Sequence, residues 1–280
     1  MSSDMSWTRR SLGHEPPEIE IDTSVAHSAR VYDYILGGKD NYGPDREAAE
    51  QMLKNWPSLR TSMRENRKFM HRTVRHLAAE RGIRQFLDIG TGIPTSPNVH
   101  EIAQEIAPEA RVVYVDNDPI VLAHARHRLN GTPDGRIAYI HANLREPETI
   151  LTAPELHDTL DLDRPVALSV IAVLQFVLDD QEAYGLVERY MRDLPSGSFL
   201  ALSTVTTDSS PKAIDVVSEY KARGMPPRER SKAEVERFFD GLELIEPGVQ
   251  LVHNWRPDVD PEHQVPDSAV AMYGGVALKA

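Results

Sequence analysis

The stretch Phe86-Leu-Asp-Ile-Gly-Thr-Gly92, read together with Val112-Val-Tyr-Val-Asp-Asn-Asp-Pro119, decides the fold. Each begins with a short apolar run of strand type and breaks at a Gly-rich or acidic turn, after which apolar residues recur at helical spacing. That is the order of a βαβ nucleotide site. Gly90 and Gly92 have no Cβ, so the backbone can turn sharply there and approach a ligand closely. Asp116, closing the second apolar run, is placed to accept hydrogen bonds from a ribose diol. The Gly-x-Gly lacks the third glycine of the dinucleotide fingerprint and carries Pro at position 94.

Before this stretch the pattern is helical. Residues 1–22 are polar, Pro-containing and without period, which predicts a disordered tail. A first helix is expected over 23–34, then a loop from Leu36 through Gly37, Gly38 and Gly43. Ala48, Ala49, Met52, Leu53 and Trp56 recur at helical spacing until Pro57, and Met70, Val74, Leu77 and Ala78 mark a further helix ending near Gly82. A helical cap or lid over 23–82 therefore precedes a core over 83–280.

After it, strands and helices alternate. Val99, Ile102, Ala103, Ile106 and Ala107 share one helical face, with Pro97 in the first turn. Asp118-Pro119 reads as N-cap and first residue of a helix over 120–129, closed by Asn130-Gly131. Strands are expected over 137–141, 166–173 and 198–204. Helices open at the capping-box pattern Asp179 to Glu182, at Ser210-Pro211 and at the box Ser231 to Glu234. Two last strands, over 249–253 and 269–278, have no helical pattern between them and are expected as an antiparallel pair. The fold class is α/β: a seven-stranded, mostly parallel sheet with an antiparallel C-terminal edge pair and an N-terminal helical extension.

Composition narrows the function. The chain has 280 residues, a formal charge of −12 and no cysteine. That length holds one large α/β domain with an appendage. The charge repels nucleic acid and anionic membranes, so neither is expected as a partner. Lack of cysteine excludes disulfides, thiolate metal sites and a Cys nucleophile. The N-terminus has no apolar signal core, and the apolar run over 166–174 is too short to span a bilayer, so a cytoplasmic location is expected.

A five-strand parallel sheet closed by an antiparallel pair, with Asp88-Ile-Gly-Thr-Gly and Val115-Asp-Asn-Asp-Pro at its first two strands, resembles a Rossmann-like class I methyltransferase. Ser28-Ala-Arg-Val-Tyr-Asp-Tyr-Ile-Leu-Gly-Gly-Lys-Asp-Asn-Tyr, Asp88-Ile-Gly-Thr-Gly-Ile-Pro-Thr, Glu234-Val-Glu-Arg-Phe-Phe-Asp-Gly-Leu and Tyr273-Gly-Gly-Val-Ala resemble, more narrowly, a bacterial S-adenosyl methyltransferase family that was formerly a domain of unknown function. The resemblance implies S-adenosylmethionine as cofactor and no established acceptor. Gly90, Thr91 and Gly92 would meet the methionine end and Asp88 its ammonium, while Asp116 would hold the ribose. Asn117 would lie beside the adenine edge, and Asn143 with Leu144 would border its other side. The family pattern has Asp where this chain has Asn143, and His where it has Gln175. Asn can still hydrogen-bond an adenine amine, whereas Gln cannot act as a general base.

Residues 30–41 mix Arg, Tyr, Asp, Lys and Asn with paired glycines, more chemistry than a plain connector needs. Tyr32 and Tyr34, with Gln175, are candidates to orient the acceptor. Arg30, Lys39 and Asn41 are candidates for a lid or substrate wall, as are Arg67 and His71, one helical turn apart and able to reach a carboxylate. Gly37-Gly-Lys-Asp lacks the upstream Gly and following Ser or Thr of a phosphate loop. His100-Glu-Ile-Ala-Gln104 falls short of the zinc-protease pattern, and no metal site is expected. The activity expected is methyl transfer to an O, N or C nucleophile of a small molecule or protein, with a homodimer as candidate assembly. A non-catalytic cofactor-binding module and a nicotinamide-dependent oxidoreductase are the alternatives, the latter disfavoured by Pro94 and the two-strand ending.

Overall fold

The computed structural model describes residues 22–121 and 131–280. The expected tail, short of Asp22, and the helix expected over 120–129, beyond Val121, lie outside the described residues. Eight strands form one sheet: β1 (Gln85–Ile89), β2 (Arg111–Asp116), β3 (Arg136–His141), β4 (Ala167–Ile171), β5 (Phe199–Val205), β6 (Glu243–Leu244), β7 (Gln250–Leu251) and β8 (Met272–Leu278). Their order is β3-β2-β1-β4-β5-β8-β6, with β7 also paired to β8. The first five run parallel, and β8 lies antiparallel to β5, β6 and β7.

The antiparallel ending is present, with three differences from the pattern in the sequence. It carries one additional strand, the exposed two-residue β6. The strand expected over 249–253 pairs through Gln250 and Leu251 alone before turning into a 3₁₀ turn at Val252–Asn254. β4 stops two residues early because Ala172 enters the left-handed region at φ +56°, which ends extended pairing.

Side-chain alternation explains the layers. Leu87, Ile89, Val113, Val115, Leu168 and Val170 point to one face, and Phe86, Val112, Tyr114, Ala167 and Ala201 to the other. The first face is covered by helices α5 (Pro147–Leu151), α6 (Pro154–Thr159) and α7 (Asp180–Asp193). The second is covered by α3 (Leu59–Ala79) and α4 (Val99–Ile106). Pro97 sits one residue ahead of the N-cap Asn98 and not in the first turn of α4.

A third apolar cluster joins α1 (Ser28–Leu36), α2 (Gly43–Asn55) and the start of α3 to α8 (Ala213–Ala222), which follows β5. The first helix begins at Ser28 because His27 is its N-cap, later than its apolar pattern suggests. The short α9 (Lys232–Glu236) has the expected box, with Ser231 Oγ and the Glu234 carboxylate capping each other's backbone. β1 is flanked by β2 on one side and β4 on the other, so the order of the parallel strands across the sheet switches direction between β1 and β4. In open parallel sheets, ligands lodge at such a switch, beyond the carboxyl ends of the strands.

Candidate active site

A cavity of about 650 Å³ lies at those carboxyl ends. Asp88, Gly90, Thr91, Gly92, Asp116, Asn117, Asn143 and Leu144 all line it. The register accounts for their convergence: β1 and β2 pair Ile89 with Val115, which puts the β1 turn beside Asp116. Gly90 N and Thr91 N both donate to Val115 O, at 2.8 and 3.2 Å. Asp116 Oδ2 accepts from Gly92 N at 2.7 Å and Oδ1 from Asp118 N at 2.9 Å.

The two glycines of the turn serve different ends. Gly90 has φ +76°, and a Cβ there would lie 2.5 Å from Val173 Cγ2 in the turn after β4, so it lets two loops pack. Gly92 has φ +67°, and a Cβ would meet nothing within 4 Å. Its bare backbone therefore faces open space. Burial pushes the Asp88 carboxyl above the ordinary aspartate range, opposed by the nearby Arg67. Burial raises Asp116 as well, against the amides of Asp118 and Gly92.

Tyr32, Gln175 and Arg67 also line the cavity. Tyr32 OH donates to Met63 O at 3.1 Å and accepts from Asn66 Nδ2 at 3.3 Å, and burial raises its pKa above the usual phenol value. Gln175 lies in a 3₁₀ turn after β4, and its Oε1 is buried with no hydrogen-bond partner. Arg67 Nη2 donates to Thr95 O, and to Pro97 O at 3.0 Å, bracing the segment that follows Gly92.

Tyr34, Arg30, Lys39, Asn41 and His71 do not join them. Tyr34 is two residues from Tyr32, hence about 200° round the helix, and its OH donates to Glu50 Oε1 at 2.8 Å. Arg30 is buried in an ion pair with Asp45, Nε to Oδ2 3.0 Å, and also donates to the carbonyls of Asp22 and Val25. Asn41 Nδ2 donates to Asp33 Oδ2 at 2.9 Å and to Gly38 O at 3.1 Å, closing its own loop. Lys39 is exposed. His71 sits behind Arg67, with burial and then that guanidinium lowering its pKa to about 4.

Sequence reasoning passed over several lining groups. Asn66, 1% exposed on α3, accepts from Ser203 Oγ at 2.6 Å and so links Tyr32 to the end of β5. His27 lines the cavity too, its Nδ1 2.9 Å from Asp118 Oδ2, tying the start of α1 to the end of β2. Burial alone would raise Asp118, but the His27 contact prevails and holds it below the usual range. Asn66 had no signal beyond its place in a helix, whereas His27 borders the motif at Ser28. Among the described residues, Asp260, Glu262 and His263 form one exposed group with ligand atoms within 4.8 Å of one another, apart from this cavity.

A sequence profile of S-adenosyl methyltransferases matches residues 14–280. The chain belongs to that family. The methyltransferase is also similar to a DUF574 family protein from Streptomyces avermitilis MA-4680, with 58% identity, TM-score 0.91, and coverage of 93% of this chain and 100% of that one. A protein from Thermobifida fusca YX described as a candidate methyltransferase is 39% identical, with TM-score 0.85 and coverage of 92% and 96%. No curated protein matches the chain. Among the described residues, no helix of the methyltransferase is long and apolar enough to cross a membrane.

The cofactor of the family, S-adenosylmethionine, suits what the cavity offers. Its ammonium and ribose hydroxyls are donors, and Asp88 and Asp116 bring acceptors to adjoining strand tips. The open face of Gly92 permits close backbone approach. The volume lies within the roughly 300–1,000 Å³ of small-molecule sites.

Proposed function

We propose that this methyltransferase transfers the sulfonium methyl group to an O, N or C nucleophile of a small molecule held in the same cavity. The observation that carries the reading is that one cavity joins the acidic strand tips to apolar residues of helices α1, α3 and α8. In this reading Asp116 holds the ribose and Asn117, Asn143 and Leu144 border the base. Asp88 receives the ammonium, Gly90 to Gly92 approach the methionine end, and Arg67 keeps the segment after that turn in place. The cofactor supplies an already activated methyl group.

The protein's task is then alignment, and well-oriented reactants reach effective molarities on the order of 10⁵–10⁸ M. Tyr32, kept as a neutral phenol by burial and already donating to Met63 O, orients the acceptor and does not deprotonate it. Gln175 has no proton-accepting role open to it and acts through hydrogen bonding. The proton of an O–H or N–H acceptor passes to water.

Titration calorimetry with S-adenosylmethionine on the wild type and Asp116→Ala tests the cofactor half, together with transfer of radiolabelled methyl. Loss of a charge-assisted ribose contact should weaken binding about tenfold to hundredfold. Equal binding by both proteins, or binding of NAD in its place, would overturn the reading.

A further inference from the structure

We infer that the acceptor is an uncharged, largely apolar small molecule presenting one hydroxyl or amine to the strand tips, and not an ionic metabolite. This rests on reading the strand tips as the cofactor half of the cavity. The remaining wall is apolar: Trp56, Leu59, Met63, Val216, Tyr220 and Met225 line it. All six belong to, or pack against, the cluster that joins α1, α2 and α8. They are helix-face and loop residues whose packing on one another leaves one side turned to the cavity.

The charged side chains on that wall are already committed. The Asp33 carboxylate accepts from Asp40 N and Asn41 Nδ2, each at 2.9 Å. Arg223 Nε donates to Glu219 Oε1 at 2.7 Å. An ionic acceptor would lose its hydration against that wall, the costly form of burial, and Arg67, the cation near Asp88 at the strand-tip end of the cavity, is engaged by the carbonyls of Thr95 and Pro97. A single donor is better served, because Tyr32 and Gln175 line the same cavity and each side chain carries an oxygen type that accepts from a hydroxyl or amine. The rim continues the apolar character: Val25 and Leu178 line the same cavity while 58% and 48% exposed.

The test uses the full chain saturated with S-adenosylhomocysteine, and the matched probes 2-naphthol and 6-hydroxy-2-naphthoate, read by calorimetry. The wild type should bind 2-naphthol about tenfold or more tightly than the carboxylate, which pays for its desolvation. Met225→Glu should weaken 2-naphthol binding by about tenfold and leave S-adenosylhomocysteine binding unchanged. Leu178→Glu, at a rim residue 48% exposed, should weaken it in the same direction and keeps the test open if Met225→Glu fails to fold. Equal or tighter binding of the carboxylate, failure of both probes to bind, or indifference to the added glutamates would overturn the inference. Failure of S-adenosylhomocysteine itself to bind would instead overturn the cofactor reading, a result distinct from a reversed preference between the two probes.

Discussion

Two loops of this protein are written in nearly the same letters and are used in opposite ways. The loop after α1 and the loop after β1 each carry two glycines and lie against a carboxylate, buried Asp33 in the first and half-buried Asp116 in the second. In the first, Asp33 gathers Asp40 N and Asn41 Nδ2, Gly38 N donates to Asp33 O at 2.8 Å, and a Cβ on Gly38 would fall 1.9 Å from Asp33 Oδ1. In the second, Asp116 takes Gly92 N and, like Asp33, lines the cavity, but a Cβ on Gly92 would meet nothing within 4 Å, so its backbone faces open space. Polar composition alone therefore does not mark a site. What distinguishes the two is whether the polar groups are consumed within the loop or presented beyond it.

Substitutions can break or sharpen that contrast. Gly38→Ala should have the largest effect on stability, a loss of about 3 kcal/mol as the loop gives way around Asp33. In urea denaturation the midpoint should fall, while calorimetry on the folded protein finds cofactor affinity much less changed. Asn41→Ala removes a buried bond to a carboxylate and should cost about 2 kcal/mol, with the same indifference in cofactor binding. If either variant lost affinity faster than stability, the first loop would have to be counted part of the site. Gly92→Ala should do the reverse. Its positive φ costs an alanine about 1 kcal/mol, whereas a methyl group in the open space should weaken S-adenosylmethionine about tenfold or more.

The contrast also explains which parts of the structure were legible in the sequence. β1, β2 and the turn between β1 and α4 follow from apolar runs ending at Gly or Asp, because those residues report backbone geometry directly. The α9 box is equally local. β6 was not legible, since Glu243 and Leu244 are two exposed residues with no alternation to read. Nor was the early end of β4, where Ala172 takes a conformation that an alanine does not announce. Trp56, Val216 and Tyr220 are written as core residues, and a helical apolar side chain looks the same whether it faces a neighbour or a cavity. Tyr32 and Tyr34 stand two residues apart in the sequence but have different surroundings, because both lie in the helix that begins at Ser28.

His71 offers a smaller effect that belongs to the second loop alone. It lies one turn from Arg67 on α3, the residue that braces the segment following Gly92 through Pro97 O. Burial, and then the Arg67 charge, bring its pKa from 6.5 to about 4. The folded value lies below the unfolded one, so between these limits the unfolded chain binds more protons. The stability that a neutral His71 contributes is whole above about pH 6.5 and is lost as pH falls toward about 4. A displacement of that size would carry about 3 kcal/mol in full, and partial contact with solvent reduces it to about 1 kcal/mol. His71→Gln keeps a polar group and removes the titration. Urea midpoints measured across this interval should therefore fall less steeply in the variant than in the wild type, and the two profiles should run parallel above it. Parallel profiles throughout would mean that His71 is as accessible to protons in the folded protein as in the unfolded chain, and that the segment behind Gly92 is held by Arg67 without it.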